Sequence, residues 1–152
     1  MFHEQAIIEA YNQSYHSQVL EVWERSVLAT HDFLSQPDFI EIKKLVDSID
    51  FAGFQIGCLL IRYRVKGFVG VSADKIEMLF LDPDAFGLGY GAALLQFAIK
   101  EFGATTVDVN EQNLRAVKFY QRNGFEIVGR SSKDEQGREY PLLRMKLCAA
   151  KS

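Results

Sequence analysis

The sequence predicts a single α/β or α+β domain, a mixed sheet with helices on both faces. Three observations predict it. Two amphipathic helical segments come early, a block of strand-like segments follows, and the chain then runs β-α-β-α-β-β. Its 152 residues are enough for one domain with a real core. In Met78 to Phe102, MLFLDPDAFGLGYGAALLQFAIKEF, an apolar run, a three-glycine turn and a helical pattern follow one another directly.

Gln5 to Ala10 reads as a short first strand. Ser17 to Ala29 sets Val19, Val22, Trp23, Ser26 and Val27 on one helical face, which makes Trp23 a core residue. Thr30-His31-Asp32-Phe33-Leu34 ends that helix. Ser35 as N-cap and Pro37 in the first turn open a second. Phe54 to Tyr63 and Gly67 to Ser72 are rich in β-branched and aromatic residues and predict two adjacent strands, with Arg64-Val65-Lys66-Gly67 as the hairpin turn. Lys75 to Leu81 is the strand that feeds the glycines, and Thr105 to Val109 alternates as a strand does. Asn113 to Asn123 predicts a helix with Ala116, Phe119 and Tyr120 facing inward and Gly124 just past its end. Phe125 to Arg130 and Leu142 to Leu147 are the last strands, joined by a polar loop from Ser131 to Glu139.

Strand, glycine turn and helix start are the parts of an anion site. Gly87, Gly89 and Gly91 let the backbone come close to a ligand, and the open N–H groups of the helix start face it. A phosphate-bearing ligand fits. The stretch is not a Walker loop, because no Lys-Ser or Lys-Thr follows, and Gly-x-Gly-x-Gly is not the dinucleotide fingerprint Gly-x-Gly-x-x-Gly.

Composition excludes several classes. An apolar fraction of 48% with 24% charged residues is ordinary for a globular protein, and a net charge of −3 without a block of like charges argues against nucleic acid. The start, MFHEQAIIEAY, lacks the pattern of a signal peptide, and no apolar run reaches a membrane span, so a cytoplasmic protein without a membrane partner is expected. Cys58 and Cys148 read as free thiols in strand core, neither placed to serve as a nucleophile. His3 and His16 show no ligand spacing, and no metal site is expected.

A second motif lies downstream in VDVNEQNLRAVKFYQRNGFEIVGR. Asn113-x-x-Ala116-x-x-Phe119-Tyr120-x-x-x-Gly124-Phe125 resembles the acetyl-CoA signature of the GNAT superfamily of N-acetyltransferases. Phe86-Gly87-Leu88-Gly89-Tyr90-Gly91, at the expected distance before it, resembles that superfamily's pyrophosphate loop, and Leu79-Phe80-Leu81-Asp82-Pro83 its preceding strand. The segments ATHDFL, NEQN and GRSSKDEQGREYPLL are similar to a bacterial single-domain subgroup. The resemblance spans the chain, residues 1–152. It implies a mostly antiparallel central sheet of about six to seven strands flanked by about four helices. It departs at Phe86, where the family has Arg or Gln, and at Leu88, where a basic or polar residue is common; backbone N–H groups from Leu88 to Ala92 remain for the phosphates.

The resemblance implies acetyl transfer from acetyl-CoA to a primary amine, on a small molecule or on a protein lysine or N-terminus, by direct transfer in a ternary complex. Such a transfer needs a neutral amine, a donor to the oxyanion and a proton for the departing thiolate. Tyr120 is implied as the general acid, beside its alternative as a packing tyrosine. Asn113 is implied to contact the pantetheine arm, and N-capping its helix is compatible with that. Leu79, Phe80 and Leu81 are implied to act through backbone groups, as an added strand would. Phe86, Gly87, Leu88, Gly89, Tyr90, Gly91, Ala92, Ala116 and Phe119 complete the implied cofactor contacts. Glu77, on the strand face shared with Leu81, is the candidate base or else a solvated carboxylate. His31, Asp32 and Phe33 lie in a loop implied to shape the acceptor pocket, where His31 is a pH-sensitive contact or a cap. A homodimer falls within what the family implies. The alternatives are an acyl-CoA-binding sensor of the same fold with little turnover, and a nucleotide-binding domain of another fold.

Overall fold

The computed structural model describes residues 6–148; Gln5 and His3 lie outside the described residues. In chain order the elements are β1 (Ala6–Ala10), α1 (His16–Thr30), α2 (Gln36–Asp47), β2 (Gln55–Ile61), β3 (Arg64–Ser72), β4 (Lys75–Leu81), α3 (Tyr90–Phe102), β5 (Thr106–Asn110), α4 (Leu114–Arg122), β6 (Phe125–Ser131) and β7 (Leu142–Leu147). The strands form one seven-stranded sheet in the order β1-β2-β3-β4-β5-β7-β6. Every neighbouring pair is antiparallel except β4 with β5. The mixed, mostly antiparallel sheet with four helices is the expected architecture.

Two apolar layers hold it together. On one face Val19, Val22, Trp23 and Val27 of α1 pack with Cys58, Phe68 and Met78, covered by Phe39, Ile42 and Val46 of α2. Trp23 is buried and stacks on Phe39 at 5.9 Å, a core residue as its spacing predicted. On the other face Leu94, Leu95 and Ala98 of α3 and Val117 and Tyr120 of α4 pack against Val69, Val107 and Met145. The helix starts follow their capping residues. Ser35 Oγ accepts from the Asp38 amide with Pro37 in the first turn, and Asn113 Oδ1 accepts from the Ala116 amide at 3.1 Å. Among the described residues no helix is long and apolar enough to cross a membrane.

Two expectations are corrected. The hairpin between β2 and β3 turns at Arg62-Tyr63, both at positive φ (51° and 70°), not at Arg64 to Gly67. A two-residue turn of that hand matches the twist of the strands and fixes their register. Gly67 lies inside β3 for a packing reason: a Cβ there would come within 2.6 Å of Leu81 and 3.0 Å of Leu94. Cys148 lies past the end of β7 and is exposed, not strand core; Cys58 is buried, and burial pushes its thiol up to about 12.

The feature that positions the site is a split in the sheet. β4 and β5 pair only at Lys75↔Thr106 and Ile76↔Val107, and beyond that they separate. The facing edges of Met78 to Leu81 and Asp108 to Asn110 are left without a ladder partner across the gap.

Candidate active site

The gap opens into a cavity of about 570 Å³. It is lined by Glu77, Leu79, Phe80 and Leu81 of β4, by Phe86, Gly87, Gly89, Gly91 and Ala92, by Asn113, Ala116, Phe119 and Tyr120, and by His31. One hollow thus gathers most of the candidates. Four lie outside its lining. Leu88 is exposed, and the Tyr90 ring is buried in the core below α3. Asp32 is exposed, and Phe33 packs on Tyr140 at 6.2 Å. Tyr140 in turn donates to Asp38, so Phe33 braces the β6–β7 loop against the start of α2.

The glycine turn has the chemistry of an anion cradle. Gly87 and Gly89 have φ of 76° and 86°, and Gly89 stands at the N-cap of α3 without a side chain to cap it. The first intrahelical bond runs from Ala93 to the Gly89 carbonyl. The amides of Gly91 and Ala92 precede it and stay open to a ligand. Asp82, just ahead of the turn, is 5% exposed and held by a two-bond pair with Arg25 of α1 at 2.8 and 3.0 Å. Burial pushes the Asp82 carboxyl up, but Arg25 and the Asp84 amide outweigh it and hold it below the usual range. Asp84 is paired with Lys66 at 2.9 Å. Both acids ahead of the turn are therefore matched by cations from elsewhere.

On the α3–α4 side of the gap, Tyr120 is 6% exposed and lines the cavity. Its ring meets Phe119 and Phe125 edge-on, at 5.1 and 5.4 Å. Burial raises the phenol well above its ordinary 10.0, so it stays protonated and able to donate.

Glu77 lies on the other side, which corrects the expectation that it shares a strand face with Leu81. Gly70 pairs with Met78 and Val71 with Ile76, so Glu77 is the extra residue of a β-bulge. The bulge breaks the alternation: Ile76, Leu79 and Leu81 all pack toward α3. The Glu77 carboxylate instead approaches Lys75 (4.0 Å), which pairs with Asp108 (2.8 Å) and Glu135 (3.3 Å). Burial raises the affinity of Glu77 for its proton, Lys75 opposes this, and Glu135 and Asp108 reinforce it. Acid and base candidates thus face the gap from opposite sides of the sheet.

His31 joins α1 to α4 through a chain of hydrogen bonds that assigns its tautomer. Thr30 Oγ1 donates to the Ser26 carbonyl (2.8 Å), so it accepts from His31 Nδ1 (2.8 Å). Nε2 is then the acceptor for Asn113 Nδ2 at 3.4 Å, while Asn113 Oδ1 caps α4. Burial lowers the His31 pKa, opposed by Asp32. The unfolded chain therefore binds the proton first as pH falls. The stability that neutral His31 contributes is full above its ordinary 6.5 and drains away below it, down to the folded value. The melting temperature should fall between pH 7.5 and 5.5, and His31→Gln should flatten that slope in a pH series of thermal melts.

The sequence reading missed Ser26, Thr30, Asp108, Asn110, Arg115 and Arg122, which also line the cavity. Arg115 alone carried a signal: a cation in the first turn of a helix opposes the helix dipole.

Known proteins share this fold. The sequence profile of the acetyltransferase (GNAT) domain matches residues 47–127. The chain is 38% identical, over 84% of its length and 88% of the relative's, to peptidyl-lysine N-acetyltransferase YjaB of Salmonella typhimurium. Its structure superposes on the solution structure of apo-form YjaB from Escherichia coli with a TM-score of 0.86 and 36% identity, covering 95% of this chain and 99% of that one. A PaiA N-acetyltransferase from Thermoplasma acidophilum, solved in complex with coenzyme A, shares the fold at a TM-score of 0.71 and 20% identity, over 95% of this chain and 99% of its own. By sequence profile, by relatives and by fold, the chain belongs to the GNAT acetyltransferase family.

Proposed function

We propose that this acetyltransferase works as a single domain that modifies lysine side chains of proteins in the bacterial cytoplasm, by direct transfer within a ternary complex. Acetyl-CoA supplies the activated acetyl group as a thioester. The observation that carries the reading is the placement of Tyr120 and Glu77 on opposite sides of the β4–β5 gap. An amine entering from the α1 side loses its proton to Glu77, directly or through one water, while Tyr120 on the far side gives a proton to the departing sulfur. Acid and base are then separate groups, and neither cysteine is needed: Cys58 is buried in the core and Cys148 is exposed beyond β7. The cradle amides and Asn113 hold the donor. Peptidyl-lysine acceptors fit the name carried by the YjaB relatives and the carboxylates of Glu77, Asp108 and Glu135 on the acceptor side. A reduced Cys58 fits a reducing compartment.

The test uses two peptides with acetyl-CoA and mass spectrometry. One has a blocked α-amine and a free lysine; the other has a free α-amine and a blocked lysine. Acetyl-lysine with CoA release from the first, and little from the second, is the expected result. Transfer confined to the α-amine overturns the lysine assignment.

A further inference from the structure

We propose that Arg115 of α4 holds the diphosphate of the donor from across the cleft, with the Phe86 ring as its platform. The proposal rests on the acetyl-CoA reading and adds a residue to it. Between Lys75 and Lys100 the chain has no basic residue, so the cradle offers a diphosphate only backbone amides and a helix dipole. A doubly charged group held that way leaves room for a cation.

The structure supplies one. The Arg115 guanidinium carbon lies 4.4 Å from the centre of the Phe86 ring, a cation–π distance. Phe86 and Arg115 both line the cavity, next to Gly87 and Gly89. Asp82 and Asp84, the carboxylates nearest the turn in sequence, are already paired with Arg25 and Lys66. Among the described residues Arg115 has no ion pair of its own, so its charge is uncommitted. Its position in the first turn of α4 is a local cost, because the helix dipole disfavours a cation there. An anion between Arg115 and the cradle turns that cost into attraction, since it faces the cation and the uncapped start of α3 together. The planar guanidinium lies against an aromatic surface and keeps N–H donors for phosphate oxygens. Position 86 thus contributes through the residue it holds rather than through a charge of its own.

The experiment is isothermal titration of CoA, dephospho-CoA and pantetheine into the full chain and into Arg115→Ala, Arg115→Lys and Phe86→Leu. Arg115→Ala should weaken CoA and dephospho-CoA equally, by about tenfold, and leave pantetheine unchanged. Arg115→Lys should recover part of the loss, and Phe86→Leu should weaken both phosphorylated ligands by about threefold. Loss confined to CoA would assign Arg115 to the 3′-phosphate and overturn the proposal. Equal loss for all three ligands, or none, also overturns it. A wild-type chain that binds none of the three would instead sink the acetyl-CoA reading itself.

Discussion

Tyr120→Phe should lower kcat by about 100-fold while leaving the Kd for CoA within twofold of the native value. The substitution removes one oxygen and nothing else. The ring's edge-on contacts with Phe119 and Phe125 belong to carbon atoms, so they survive, and with them the packing of α4. What is lost is a proton donor that burial keeps in its neutral, protonated form. Without it the thiolate must leave unprotonated or borrow a proton from water. Stopped assays of CoA release, paired with titration of CoA, separate chemistry from binding. If turnover stays within threefold of native, Tyr120 is a packing residue and the acid lies elsewhere. If the native protein binds CoA but turns over no amine, the sensor reading takes its place.

Glu77→Gln should lower kcat/KM by about 100-fold near neutral pH, with little change in melting temperature. Its side chain is 34% exposed and sits at a bulge, so glutamine fits without disturbing a ladder bond. The pH profile is the sharper readout. Because burial and the neighbouring acids raise the Glu77 carboxyl above its usual 4.5, native activity should decline on the acid side at a pH above that of an ordinary glutamate. The variant should lose that limb altogether. A variant that keeps the same acid limb assigns proton removal to another group, and His31, neutral and on the same hollow, becomes the next to replace.

Much of this was legible in the sequence, and the reasons are local. The glycine turn, the Ser35 and Asn113 caps and the face of α1 are set by residues within four positions of one another, where backbone geometry answers directly to side-chain chemistry. The motif around Asn113 and Tyr120 then brought the two halves of the cleft together. What escaped depends on contacts distant in sequence. Gly67 looked like a turn residue because its need for a missing side chain arises from Leu81 and Leu94. The bulge at Glu77 comes from a mismatch with β3 that strand periodicity does not record. Leu88 and Tyr90 stand in the turn, yet their side chains leave the cavity as the chain winds into α3. Arg115 became meaningful only once Phe86 lay beneath it.

Two residue pairs alone join β4 to β5. On one side of that junction lies a four-stranded half, on the other a three-stranded half, and their ladders meet nowhere else. The width of the slot is therefore set by how helices and apolar layers press the halves together, not by a row of hydrogen bonds. Separating the two halves beyond Ile76 and Val107 would break no ladder hydrogen bond between β4 and β5, whereas a continuous ladder would resist it along its whole length. The slot is thus closed at its root by two rungs and open along the rest of its length.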